Sequence, residues 1–271
     1  MLRAADVHFA YRTGTPILRG VSVDVQPGTL TGILGPNGSG KSTLLRILAG
    51  ILRPSRGTVT IDDVNLERIA RKTVARRIAV VPQETHLAFD YTVLEVALMG
   101  RYPHLAAFEI EGPADFDIAR NALRTTGTLG LADRLFATLS GGEKQRVIIA
   151  AALAQIAAPG SADHALLLLD EPTTALDVGY VLETANLLRD LQRERPLAIV
   201  VCTHDLNFAA ALCDFLVLLK DGEIRAAAAT EAVLTPANIR AVYGVDAEVR
   251  YHDSARHLVV VPLGRVRTSP P

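Results

Sequence analysis

The chain has no tryptophan, only two cysteines and few aromatic residues of any kind. Cys202 and Cys213 share no metal-ligand or redox spacing, so they read as two reduced, partly buried thiols. A surplus of one charge sign is also missing. A formal balance of -1 gives no electrostatic reason to expect nucleic acid as a partner. No apolar run approaches the roughly 20 residues that a bilayer span needs. The richest stretches, Leu166–Leu169 and Leu197–Cys202, have strand length. The segment from Met1 to Asp6 lacks the apolar core of a signal peptide. Together these absences lead to the expectation of a cytoplasmic chain whose membrane role passes through partners.

What is present is a globular composition, 49% hydrophobic, enough for a sizeable core. Val7, Phe9 and Tyr11 alternate, as do Val21, Val23 and Val25, and Thr29–Leu34 is a short apolar run. These predict strands. Ser42–Ala49 predicts a helix closed by Gly50, and Gly57–Ile61 and Arg77–Val81 predict strands. Residues 92–158 change character, with helical patterns over Val93–Met99, Asp115–Leu123 and Glu143–Ala157. Pro159–Asp163 reads as a breaker-rich loop. Strands then alternate with helices again: Leu166–Leu169, Val178–Arg193, Leu197–Cys202, Leu206–Leu212 and Phe215–Lys220. That alternation predicts an α/β fold with a mostly parallel, covered sheet. Residues 230–271 read as a less regular tail with a Pro-rich tip expected to fray. No internal repeat is visible.

Gly35-Pro36-Asn37-Gly38-Ser39-Gly40-Lys41-Ser42-Thr43 fits G-x-x-x-x-G-K-[ST] between a predicted strand and a predicted helix. The glycines let backbone N–H groups point at phosphate oxygens. Lys41 is expected to reach the β- and γ-phosphates of ATP, and Ser42 to offer its hydroxyl to Mg²⁺. Leu166–Leu169 ends in Asp170 and Glu171, which puts two carboxylates at the carboxyl edge of the sheet. Asp170 is expected to hold Mg²⁺ and Glu171 to polarise an attacking water. Gln83, after Pro82, can touch Mg²⁺ or that water. His204 can donate to a γ-phosphate, and the Tyr11 ring can stack on adenine. Leu139-Ser140-Gly141-Gly142-Glu143-Lys144-Gln145 precedes a helix and offers N–H groups and a hydroxyl to an anion. That makes a second phosphate-binding surface, which two facing chains would use and one would not.

In this order the motifs resemble those of the ABC-type ATPase family over about residues 2–225. Residues 35–43 resemble its Walker A motif and Asp170-Glu171 the end of its Walker B motif. Leu139–Gln145 resembles its signature, Gln83 its Q-loop and His204 its switch histidine. Ala175-Leu176-Asp177 resembles its D-loop and Tyr11 its A-loop. The resemblance implies a P-loop NTPase (RecA-like) core with an N-terminal antiparallel β subdomain and an inserted α-helical subdomain. The implied division is an ATPase domain over 1–229, its core being 1–87 and 162–229 and its helical signature subdomain 88–161, followed by a tail over 230–271. It further implies a head-to-tail dimer in which Ser140, Gly141 and Gly142 bind the γ-phosphate of the partner's ATP, with Asp177 at the same junction.

Thr92–His104 resembles the ATPases of iron-siderophore, haem and cobalamin importers. This implies contact with a membrane permease dimer through the Gln83–His104 region, with Leu94, Met99, Arg101 and Tyr102 as candidates. A periplasmic or lipoprotein substrate-binding protein is implied indirectly, and the location is the cytoplasmic side of the membrane. Two departures from the family pattern stand out. Ala151 occupies a place where the family usually has Arg. The stretch Ala157–Ala165 is a few residues long, as among haem importer ATPases. Gly179-Tyr180-Val181 does not help to choose a cargo. An exporter ATPase is disfavoured by Thr92–His104. A soluble translation or repair ATPase is disfavoured by the single motif set and the lack of a heptad run. Tyr251, His252, Asp253 and His257 lack the spacing of a compact metal site.

Overall fold

The computed structural model describes residues 1–271 except 12–13, 86, 158–164, 175, 195–196 and 267–271. The chain runs β1 (Leu2–Ala10), β2 (Pro16–Val25), β3 (Leu30–Leu34), α1 (Lys41–Leu48), β4 (Arg56–Ile61), β5 (Val64–Asn65), α2 (Arg71–Ala75) and β6 (Ile78–Val81). A helical stretch follows: α3 (Val93–Met99), α4 (Pro113–Thr125) and α5 (Gly141–Ile156). Then come β7 (Leu166–Asp170), α6 (Val178–Glu194), β8 (Ala198–Thr203), α7 (Leu206–Leu212), β9 (Phe215–Lys220) and β10 (Glu223–Ala229). The described chain closes with α8 (Thr230–Val233), α9 (Pro236–Tyr243), β11 (Val245–His252) and β12 (His257–Arg265).

Six strands form the central sheet in the order β10-β9-β3-β8-β7-β6, all parallel except the edge strand β10. Its strands are apolar at nearly every position because both faces are covered. Leu167 and Leu169 point into one core, shared with the helical stretch; Leu166 and Leu168 point into the other, shared with α1 and the antiparallel sheet β2-β1-β4-β5. Ile199 and Val201 against Val200 and Cys202, and Leu216 and Leu218 against Val217 and Leu219, divide in the same way. The two-residue strand period thus welds three layers together. The carboxyl ends of β3, β7 and β8 lie side by side, with Asp170 in register with Cys202 and Leu34 with Thr203.

Helix α3 starts at a reciprocal cap. Thr92 Oγ1 accepts from the Glu95 amide, while Glu95 Oε2 accepts from the Thr92 amide at 2.7 Å. Helix α3 approaches α5 so closely that a Cβ on Gly100 would lie 2.1 Å from the Ala151 carbonyl oxygen. Arg101, a sequence candidate for the permease contact, is buried instead. It donates to Asp115 Oδ1 at 2.9 Å and to the carbonyls of Ala154 at 2.6 Å and Ala157 at 2.7 Å. The guanidinium satisfies carbonyls at the end of α5 that have no intrahelical partner, and so ties α3, α4 and α5 together.

The tail corrects another expectation, for it is regular. Thr235 caps α9, Pro236 occupies its first turn and Gly244 ends it in the left-handed conformation, φ 64°. Strands β11 and β12 then pair as a hairpin seated on α7. Asn207 fixes the seat by donating to the Val260 carbonyl at 3.1 Å and accepting from its amide at 2.8 Å. The segment Pro159–Asp163 and the Pro-rich tip lie outside the described residues.

Candidate nucleotide site

The loop after β3 turns on Gly38 (φ 80°) and Gly40 (φ 105°) and delivers the start of α1 to the sheet's carboxyl edge. The first turn of α1 has no acidic residue and Gly40 provides no side-chain cap, so its N–H groups are free to face an anion. Lys41 is buried and donates to the carbonyls of Gly35 at 2.9 Å and Pro36 at 3.4 Å. Gly35 cannot be larger, since a Cβ there would meet the Leu219 carbonyl oxygen at 2.2 Å.

Ser42 Oγ donates to Asp170 Oδ1 at 2.9 Å. Burial raises the Asp170 pKa and the neighbouring Glu171 charge adds to this, while Ser42, Arg46 and Lys41 oppose it. Glu171 is buried and sits at φ 49°, a left-handed conformation that a non-glycine residue adopts at a cost. Its amide bonds the Cys202 carbonyl at 2.8 Å, which holds that turn against β8. Both carboxylate oxygens are engaged: Oε1 lies 3.5 Å from Lys41 Nζ and Oε2 lies 2.7 Å from His204 Nδ1. His204 is exposed, just before the α7 cap that Asp205 makes by accepting from the Asn207 and Phe208 amides.

Tyr11, Asn37, Gly38, Gly40, Lys41, Ser42, Thr43, Gln83, Glu171 and His204 line one open cleft of about 500 Å³. Ile17 and Thr174, which no sequence motif marked, complete the wall. The Tyr11 hydroxyl lies 3.5 Å from Thr43 Oγ1 and its ring meets Phe9 edge-on. Gly35 and Ser39 lie behind the wall, and Asp170 reaches the cleft through Ser42.

Ser140, Gly141, Gly142 and Asp177 do not line this cleft. Gly141 borders a separate space of about 210 Å³ that also touches Gln83 and Thr174. Ser140 is the N-cap of α5, its Oγ accepting from the Glu143 amide at 3.3 Å while Glu143 accepts from the Ser140 amide at 2.8 Å. Asp177 accepts from the Tyr180 amide at 3.0 Å; its neighbour Ala175 lies outside the described residues.

Two tyrosines were not anticipated at this edge. Tyr180 touches the signature directly, its hydroxyl 3.2 Å from Ser140 Oγ. Tyr243 arrives from the tail with a buried hydroxyl that faces the backbone of Gly35. Burial and the Glu171 charge push its pKa well up, against the pull of the Gly35 backbone. Tyr180 carried no motif signal, and Tyr243 belonged to a tail whose order only the Thr-Pro start and Tyr-Gly end could have announced.

A sequence-family model described as ABC transporter matches residues 18–174. The chain is 44% identical over 244 residues to a hemin import ATP-binding protein of Bordetella bronchiseptica, covering 89% of this chain and 91% of that one. It is 41% identical over 250 residues to a cobalamin import ATP-binding protein of Halobacterium salinarum, covering 92% of this chain but spanning only 61% of that longer protein. A metal-chelate type ABC transporter solved in an inward-facing conformation superposes with a TM-score of 0.82 at 31% identity, over 97% of this chain and 96% of that one. A bacterial ABC transporter cassette solved as a dimer matches with a TM-score of 0.72 at 30% identity, over 85% and 99%.

Proposed function

We propose, because this chain belongs to the ABC transporter family, that it is the ATP-hydrolysing subunit of an importer that takes up a metal chelate through a membrane permease. The candidate cargo is a ferric siderophore, haem or cobalamin. Relatives named for hemin and cobalamin import, and a structural neighbour described as metal-chelate type, support the cargo class. One observation carries the catalytic reading. Lys41, Ser42, Glu171 and His204 share a cleft with the phosphate loop, while the signature residues stand outside it. One chain therefore presents two half-sites, and a second copy facing it head to tail would complete both.

In this reading Tyr11 stacks on the base and the N–H groups of residues 37–43 hold the phosphates. Lys41 neutralises charge on the transferred group. Ser42 and Asp170 fit Mg²⁺: they are hard oxygen donors 2.9 Å apart, and a divalent charge would offset the cost of the buried carboxylate. When bound, the ion supplies charge neutralisation to the β- and γ-phosphates. Glu171 takes a proton from the attacking water, with His204 orienting its carboxylate and Gln83 at the rim beside it. Ser140, Gly141 and Gly142 address the nucleotide of the facing copy, next to Asp177.

The permease is proposed to bind across the Gln83–His104 region. Phe89 (73% exposed) and Tyr102 (56%) offer apolar surface there, and Leu94 and Met99 are half-buried. A groove of about 770 Å³ between α1, α2, β4 and β6, with Leu52, Val74, Ile78 and Gln155 in its wall, has room for a short helix of that partner. No helix among the described residues is long and apolar enough to cross a membrane. In this reading the coupling runs from the cytoplasmic face. A substrate-binding protein would act on the permease from the other side.

Ser140→Arg tests the composite site. A bulky cation at the α5 N-terminus should leave nucleotide binding to the lone subunit intact while phosphate release falls at least 100-fold. Full turnover by this variant would refute the reading.

A further inference from the structure

Helix α6 begins beside Asp177, and three residues on it places Tyr180 against the signature. The fit is tight. A Cβ on Gly142 would lie 2.1 Å from the Tyr180 ring, so the absence of a side chain at Gly142 is required within this chain as well as for any phosphate. Arg146 holds the ring from α5, its guanidinium 5.4 Å from the ring centroid while it pairs with Glu183 on α6. The Tyr180 backbone is pinned by Asp177 at 3.0 Å. Ring, backbone and neighbour are thus all fixed, and the hydroxyl is delivered 3.2 Å from Ser140 Oγ.

The Ser140 hydroxyl has one hydrogen to give and two lone pairs to fill. The Glu143 amide fills one lone pair at 3.3 Å. The geometry of the Tyr180–Ser140 pair allows either direction; a phenolic O–H is a better donor than an aliphatic one, and with Tyr180 donating it fills the second. The serine then has no lone pair left, and the acceptor that its only hydrogen finds within its own chain is the Glu143 carboxylate, which a phosphate oxygen of the facing copy would displace. A serine with both lone pairs occupied can recognise only an acceptor, and a phosphate oxygen is an acceptor at neutral pH.

We propose that Tyr180 is a positioning residue of the composite site: it donates to Ser140 Oγ, aims the serine's hydrogen at the γ-phosphate held by the facing copy, and ties that aim to α6 and Asp177. The proposal rests on the two-chain reading above. It also gives the chain a route from the junction at Asp177 to the signature hydroxyl without passing through nucleotide.

A double-mutant cycle in the ATP-trapping Glu171→Gln background tests it. Dimerisation of the full chain is followed by analytical ultracentrifugation at increasing Mg-ATP. Tyr180→Phe keeps the ring against Gly142 and Arg146 and removes only the donor. It should weaken the ATP-dependent dimer roughly 2- to 10-fold, the loss of about one hydrogen bond. Nucleotide affinity of the monomer and the melting temperature should be unchanged. Added to Ser140→Ala, Tyr180→Phe should have no further effect, because its role runs through that hydroxyl. A loss of equal size in both backgrounds would assign Tyr180 to packing alone and overturn the proposal, as would no loss in the first background. If Ser140→Ala itself leaves the dimer unchanged, the composite site fails and this inference falls with it. If Ser140→Ala weakens the dimer and Tyr180→Phe does not, only this inference falls.

Discussion

Replacing Glu171 by glutamine removes one negative charge from a buried site while keeping its shape. The charge interacts with Lys41 Nζ at 3.5 Å and with His204 Nδ1 at 2.7 Å. At an effective dielectric constant of about 20, the Lys41 term alone is worth about 5 kcal/mol before desolvation is subtracted. Outright loss of a buried partner costs roughly 3–5 kcal/mol. The variant should lose less, because Lys41 keeps its bonds to Gly35 and Pro36 and the amide oxygen still accepts from one neighbour. A stability loss of about 1–3 kcal/mol follows, seen as a melting temperature lowered by roughly 2–10 °C. Turnover should suffer far more. Loss of a general base costs about 10²- to 10⁴-fold, or roughly 3–5 kcal/mol of barrier. Steady-state phosphate release, ATP affinity and a thermal melt on one preparation separate the effects. The expected pattern is intact ATP binding, modest destabilisation and at least 100-fold slower hydrolysis. Hydrolysis within threefold of the parent chain would show that Glu171 does not activate the water.

Asp170→Asn should move stability and activity in opposite directions. The raised pKa of Asp170 means that the folded chain binds this proton more readily than the unfolded chain. The resulting stability is present below the unfolded value and is lost as pH rises through the folded one, so at neutral pH the charge is a net cost. The variant's melting temperature at pH 7 should equal or exceed the parent's, with hydrolysis abolished and Mg²⁺ no longer stabilising; a marked drop in melting temperature would contradict this. Arg101→Ala should cost about 3–5 kcal/mol in urea unfolding, since it leaves Asp115 and two helix-end carbonyls without their partner. Burial works against the Asp115 carboxylate, but Arg101 and the Gly112 amide hold its pKa below the usual range. That component of stability is lost as pH falls through the folded value, so the parent's acid sensitivity should exceed the variant's. An unchanged urea midpoint would place Arg101 at the surface after all.

The cleft around residues 37–43 was legible in the sequence because the pattern that builds it is local. A phosphate loop needs glycines at fixed offsets from a lysine, and an apolar strand with a final carboxylate announces both its burial and its acidic end. The helices α3 and α5 were legible through the helical patterns of Val93–Met99 and Glu143–Ala157. Strand β10 was not, because an edge strand of alanines carries little alternation. The tail was misread because β11 and β12 are half-exposed and their apolar period is weak.

By itself, then, the sequence determined which groups gather in the cleft at the carboxyl edge of the sheet and in what order the elements come, since both rest on spacing along the chain. Tertiary structure alone decided where four side chains do their work. Arg101 lies in a segment that looks exposed, yet its guanidinium is drawn inward by carbonyls 53 and 56 residues away. Tyr180 meets Ser140 across 40 residues. Tyr243 comes back from the tail to the edge of the phosphate loop, and Asn207 anchors that tail through Val260. These contacts are fixed by how the layers pack, and no local period records the distance that packing closes.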